Sequence, residues 1–256
     1  MKIAVITGAS SGMGRELTIQ IAKKEAFDQI WVIARREEAL QSLKEEVGEN
    51  ILPIALDLSK MESIKAYEEL LEKEKPDVAF LANVAGFGKF GRYDQIPLED
   101  CMGMIDLNCK ALVAMTQVTL PYMKRGSRIL QLDSLSAFQP VPYLNVYGST
   151  KSFVLSYSRA LNRELKTEGI RVMSVNPGWV KTEFFDRAEQ TSNDAVTYFN
   201  AMYEAKDIIK TAIHDLYHTK KDVSIHGFRV KALVYTVKFI PHKMAMNIWM
   251  RQQKHK

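Results

Sequence analysis

Tyr147 and Lys151 stand four residues apart in the run Tyr147-Gly148-Ser149-Thr150-Lys151. On a helix this spacing puts both side chains on one face. An ammonium beside a phenol favours the phenolate, so the pair is expected to pull the phenol down from about 10 toward the working pH. A group that gives and takes a proton in this range is what a carbonyl/alcohol interconversion requires. Ser134 lies thirteen residues before Tyr147, just past the apolar run 128–132. Open α/β sheets bind ligands at the carboxyl ends of their strands, so Ser134 can meet Tyr147 over one substrate oxygen. Ser136 competes for that role.

A second candidate site lies at the amino end. The run Ile3-Ala4-Val5-Ile6-Thr7 leads straight into Gly8-Ala9-Ser10-Ser11-Gly12-Met13-Gly14, and a helical pattern with Leu17, Ile21 and Ala22 follows. Gly8 permits a tight turn, Gly12 lets the backbone approach a pyrophosphate, and Gly14 lets the helix pack closely on the strand. Free amides at the helix start then hold phosphate oxygens. The whole turn (Gly8, Ser10, Ser11, Gly12, Met13 and Gly14) is therefore expected to border a dinucleotide. After the second apolar run come Arg35 and Arg36. An acid at this place binds both ribose hydroxyls of NAD, whereas a guanidinium pairs with the extra phosphate of NADP. Arg35 is the better placed of the two, and NADP(H) is expected in preference to NAD(H). Asp57, after the third run, sits where an adenine amino group can donate to it. It also suits a cap for the helix expected from residue 60.

These groups need strands that end together. Apolar runs at 3–7, 30–34, 51–56, 78–82, 128–132, 170–175 and 223–226 alternate with charged, helix-period segments such as 36–47 and 60–74. Nearly continuous apolar runs fit strands covered on both faces. The alternation predicts an α/β chain: a Rossmann-type, doubly wound parallel sheet in a single domain over 1–226, with helices on both faces.

Taken in order, these residues resemble the short-chain dehydrogenase/reductase family, in its short single-domain branch. The resemblance spans roughly 1–226. It rests on T-G-A-S-S-G-M-G at 7–14, Asp57, N-V-A-G at 83–86, Asn108, Ser134, Y-G-S-T-K at 147–151 and N-P-G-W-V-K-T at 176–182. It implies Ser134, Tyr147 and Lys151 as a catalytic triad, with Asn108 holding a water in the proton relay behind Lys151. Lys151 is also implied in binding the nicotinamide ribose. Asn83 and Gly86 would line the cofactor channel. Pro177, Gly178, Val180 and Thr182 would hold the nicotinamide end, Thr182 by reaching the carboxamide of the nicotinamide. The chain departs from the family at Val84, where a second Asn is common, and at Asp133, where a Ser is common; neither position is expected to carry chemistry.

The two cysteines, Cys101 and Cys109, give neither a disulfide framework nor a metal-ligand spacing, and a cytoplasmic protein is the default. After Asp222 there is no acid, while seven basic residues follow, so the net charge of +5 comes from this tail. Residues 227–256 interleave those charges with apolar residues, and Pro241 divides them into two helical pieces. The tail can pack on the domain or on a second subunit of a homo-oligomer, or lie on an anionic membrane surface. No basic surface or motif of a nucleic-acid binder accompanies it. Phe87, Phe90, Tyr93, Phe138, Tyr143, Phe184 and Phe185 border the stretches that shape the substrate site and point to an apolar or aromatic pocket. Residues 183–205 are expected to close over the bound cofactor as a flap. The rival reading is a non-catalytic dinucleotide sensor or scaffold using its tail to bind a membrane or partner. Such a protein has no physical need for Ser134, Tyr147, Lys151 and Asn108 together.

Overall fold

A computed structural model describes every residue except 185–187, 189–194, 200–201 and 254–256. Each apolar run becomes a strand of one sheet: β1 (Lys2–Thr7), β2 (Gln29–Ala34), β3 (Ile51–Ala55), β4 (Asp77–Asn83), β5 (Arg128–Leu132) and β6 (Arg171–Val175). A short pair, β7 (Trp179–Lys181) and β8 (Met202–Glu204), stands apart, and β9 (Val223–Ser224) closes the main sheet. The strand order is β3-β2-β1-β4-β5-β6-β9, with every neighbouring pair parallel. The order reverses between β1 and β4, where an open α/β sheet splays apart to leave a crevice for a ligand.

Helices cover both faces because successive strand residues point to opposite sides. On one face lie α1 (Gly12–Lys24), α2 (Glu37–Val47) and α7 (Ala205–His218), whose Leu17, Leu40 and Ile209 pack on Ile6, Val32 and Leu130. On the other lie α3 (Met61–Glu74), α4 (Leu98–Ile105), α5 (Leu112–Thr119) and α6 (Asn145–Glu164). There Tyr67, Met115 and Leu161 pack on Val5, Leu81 and Ile129. Between α4 and α5 the helix widens into one π turn, Asp106–Ala111.

The tail forms two helices, α8 (Phe228–Phe239) and α9 (His242–Gln252), parted at Pro241 as the sequence predicts. Val230, Val234, Val237 and Ala245 are buried against the domain. The Trp249 indole N–H donates to the Pro142 carbonyl at 3.0 Å, and Gln253 Oε1 accepts from the Thr197 amide at 2.9 Å. Packing on its own domain is thus what the tail does. The strand expected at 223–226 stops at Ser224. Nearly half of the expected flap over 183–205, including Phe185, lies outside the described residues. Among those described, no helix is long and apolar enough to cross a membrane.

Candidate active site

The glycine turn is fixed by close approach. Gly8 has φ +68°, and a Cβ there would stand 2.7 Å from the Ala85 nitrogen. A Cβ on Gly14 would fall on the Gly8 carbonyl. Gly12, at φ +52°, faces Thr182, which reaches across from the end of β7. Ser11 caps α1 without a side-chain hydrogen bond, so the first amides of the helix are left for another acceptor. Around this turn lies a cavity of about 360 Å³ bordered by Gly8, Ser10, Ser11, Gly12, Met13, Gly14, Arg35, Asp57, Gly86 and Thr182. These residues suit a dinucleotide: a cradle of backbone amides, and cations at its far end.

At that far end the two arginines differ. Arg36 is spoken for, pairing with Glu183 at 2.9 Å and reaching Ser10 Oγ at 3.3 Å. Arg35 is exposed beside the cavity and faces Asp57, whose carboxyl is held below its ordinary value by the Ser59 hydroxyl and amide and by the Arg35 charge, against the opposing effect of burial. Asp57 Oδ1 accepts from the Ser59 amide and hydroxyl in a local turn, whereas the cap position of α3 is Lys60. Asp57 is therefore not the cap of that helix.

The second cavity, about 310 Å³, adjoins the first and shares with it Met13, Gly86, Thr182 and Phe184. Tyr147 and Lys151 enter it from the first turns of α6, on one face as their spacing requires. Ser134 enters from the end of β5; its hydroxyl accepts from the Ser136 amide at 3.1 Å and lies in hydrogen-bonding reach of the Tyr147 phenol. Ser134, rather than Ser136, is thus the serine set against Tyr147. The Lys151 ammonium donates to the Leu132 carbonyl at 2.8 Å and stands 5.7 Å from the centre of the Tyr147 ring. Pro177, Gly178 and Val180 border the same cavity.

Two expectations are corrected here. The Tyr147 phenol is not pulled down: burial pushes it well above the ordinary tyrosine value, against the hydrogen bond from Ser134, and the nearby Asp133 pushes in the same direction as burial. Burial also lowers the Lys151 ammonium. Desolvation is the dominant influence on both groups. Asn83 is not on either cavity wall; its amide nitrogen donates to Thr116 Oγ1 and Gln131 Oε1, both at 3.0 Å, under α5. The Asn108 side chain ties two elements together. It accepts from the Phe87 amide at 3.0 Å and donates to the Phe87 carbonyl at 2.9 Å and to Thr150 Oγ1 at 3.0 Å. These bonds clamp the loop after β4 to α6, holding Gly86 within 3.7 Å of the Lys151 nitrogen as measured from an added Cβ.

Several groups at the site were not singled out by spacing or periodicity. Leu233, Val237, Ile248 and Trp249 of the tail line the second cavity together with Phe87, Leu144 and Phe184. The Tyr147 and Phe184 rings meet with centres 5.6 Å apart. A Cβ on Gly88 would strike both rings, so this glycine is what admits them. Asp133, at the end of β5, is buried and borders the same cavity.

Comparison with known proteins agrees with this geometry. The family model described as short chain dehydrogenase matches residues 2–193. An NADP-dependent 3-hydroxy acid dehydrogenase from Schizosaccharomyces pombe is 36% identical over 190 residues, 72% of this chain and 73% of that protein. A serine 3-dehydrogenase from Rhizobium radiobacter is 35% identical over 182 residues, 70% of this chain and 72% of its own length. Among solved structures, a short-chain dehydrogenase from Sphingobium yanoikuyae in complex with NADPH superposes with a TM-score of 0.80 at 25% identity, covering 100% of this chain and 99% of that one.

Proposed function

This chain belongs to the short-chain dehydrogenase family of oxidoreductases, and from that premise we propose that it interconverts a carbonyl and an alcohol on an apolar substrate, with NADP(H) preferred over NAD(H) and Tyr147 as the acid/base. The observation that carries this reading is the meeting of Tyr147, Ser134 and Lys151 in a cavity that shares a wall with the glycine-turn cradle. A bound NADPH supplies the hydride. Tyr147, kept protonated by burial, gives its proton to the substrate oxygen. Ser134 donates to the same oxygen, so charge that develops there meets donors already in place. The Lys151 cation near the ring stabilises the phenolate left behind. Asn108 holds the loop that carries Gly86 against Lys151. Arg35, with no hydrogen bond or ion pair among the described residues, is the cation for the NADP phosphate. A sensor has no use for this proton-transferring set.

The relatives are named for hydroxy acids and for serine. In this chain Lys151 is the one cation among the described residues of the substrate cavity, and the tail adds a wall of Leu233, Val237, Ile248 and Trp249. A substrate carboxylate finds no guanidinium among those described residues, so an apolar or aromatic ketone or aldehyde suits the cavity better. The test is NADPH consumption with a panel of aldehydes, ketones and quinones beside 3-oxo acids. Turnover of the apolar set with NADPH above NADH is expected; activity on the 3-oxo acids alone overturns the substrate class, and none on any arm favours the sensor.

The outward face of the tail supports a place at a lipid surface. Phe228, Tyr235 and Phe239 are 85%, 60% and 86% exposed and recur on one face of α8. Arg229, Lys231, Lys238 and Lys243 flank them with no acid nearby in sequence. This charge complements anionic headgroups and opposes pairing of the face with its own copy. A homo-oligomer finds a better surface at Met102, Ile105 and Phe153, exposed on the contacting helices α4 and α6. On this reading a cytoplasmic enzyme takes its substrate from a membrane. Co-sedimentation with phosphatidylglycerol but not phosphatidylcholine vesicles, lost in the variant Phe228→Ser/Phe239→Ser, is expected. Equal sedimentation of variant and wild type overturns it, and a concentration-dependent mass that the variant abolishes assigns the face to self-association instead.

A further inference from the structure

One ionisable group beside the site has no part in the reaction as described. Asp133 follows β5 and is 2% exposed. Its Oδ2 accepts from Ser174 Oγ at 3.0 Å and Asn176 Nδ2 at 2.7 Å; its Oδ1 has no hydrogen-bond partner among the described residues. The Asp133 amide still donates to the Val175 carbonyl, so strand alternation persists to this residue. Ile129 shares that face and packs with Leu161 of α6. Asp133 therefore lies under α6, the helix that carries Lys151.

Lys151 has the complementary need. It is 4% exposed, and its ammonium donates to the carbonyl of Leu132, the residue next to Asp133. A buried cation without a counter-charge is costly, and so is a buried carboxylate with one oxygen unmatched. Asp133 is the one acid among the described residues of the cavity wall. We propose that Asp133 is a positioning residue for the reaction: its buried carboxylate is the counter-charge that keeps the Lys151 ammonium charged and seated against the Leu132 carbonyl beside Tyr147.

The charged neighbourhood supports this. From α6 the facing groups are Lys151 and Tyr147; from the π turn it is Cys109, whose thiol burial pushes up to about 11; from β6 Ser174 and Asn176 do not titrate. Burial drives Asp133 toward its neutral form and Lys151 toward its own, and each charge opposes the loss of the other. The arrangement also separates the two effects of removing the acid. Asn in place of Asp133 keeps the shape and an acceptor for Ser174 and Asn176, and removes only the charge.

The proposal rests on the reading above for its kinetic arm alone; its thermodynamic arm needs no substrate. Asp133→Asn, Lys151→Met and the double variant are melted as full chains at pH 8. Lys151→Met strands the carboxylate, so its loss should be smaller in the Asn background, by about 2 °C or more in melting temperature. Additive losses overturn the proposal. With any substrate that turns over, Asp133→Asn should move the basic limb of the kcat/KM profile about one pH unit lower, because Lys151 then loses its proton sooner. A uniformly lower kcat with the limb unmoved means a packing role and also overturns it. If Asp133→Asn does not fold, Asp133→Ser carries the same cycle. A non-additive cycle in a protein inactive on every substrate leaves this proposal standing and sinks the reaction.

Discussion

At the scale of single residues, burial sets the chemistry. The phenol of Tyr147 is held protonated by its surroundings, so in the proposed reaction its first act is donation. Tyr147→Phe keeps the ring against Phe184 and removes the proton; kcat should fall by at least about 10², the lower end for positioned proton transfer, with the melting temperature little changed. Arg35→Asp should weaken NADPH binding by about ten- to a hundredfold, as a lost charge-assisted pair of roughly 1.5–3 kcal/mol implies, and leave NADH binding much less affected; fluorescence titration of both cofactors checks this. Asp133 adds a pH signature. Its folded value, about 7, is raised by burial above the unfolded one, so the native state holds the extra proton between about pH 4 and 7. Stability from this group is present at low pH and falls as pH rises through that window. Melting temperatures of the wild type should therefore drop relative to Asp133→Asn between pH 4 and 7, and parallel curves would contradict the assignment.

At the scale of elements, backbone approach decides what side chains can do. Gly14 sits where a Cβ meets the Gly8 carbonyl, and backbone on both sides cannot give way. Gly14→Ala should open the turn, abolish NADPH binding in the micromolar range and lower the melting temperature by about 4 °C or more; calorimetry and titration measure both. This turn was legible because every part is local: an apolar strand, three glycines and a helical period within one short stretch. Tyr147, Lys151 and Ser134 were legible for the same reason, since helix spacing and a strand end fix their directions. Asn83 was misread because its direction follows from strand parity and from Thr116 and Gln131, distant in sequence. The π turn at Asp106–Ala111 leaves no periodic mark, so Asn108 could be picked out but its bonds to Phe87 and Thr150 could not. Asp133 looked idle because only the packing of α6 and β6 around it reveals what it faces.

At the scale of the whole molecule, the domain and its tail divide the work. The cradle and the residues proposed to transfer the proton come from the strand ends and α6, whereas α8 and α9 line the proposed substrate cavity. Their contact with the domain joins residues over a hundred positions apart, as between Trp249 and Pro142, which no local pattern announces. A chain ending at Gly227 should keep NADPH binding, since the tail does not border the glycine-turn cavity. It should lose most of its kcat/KM for apolar substrates, chiefly through KM; comparing cofactor affinity with kinetics tests the division. The tail also gives the molecule an optical property. Of its three tryptophans, Trp31 is sealed in the core, while Trp179 and Trp249 both border the substrate cavity. Indole emission overlaps the absorption band of a reduced nicotinamide. Cofactor arrival can therefore be followed as energy transfer in the unlabelled protein, with Trp249 reporting the tail and Trp179 the strand that faces it.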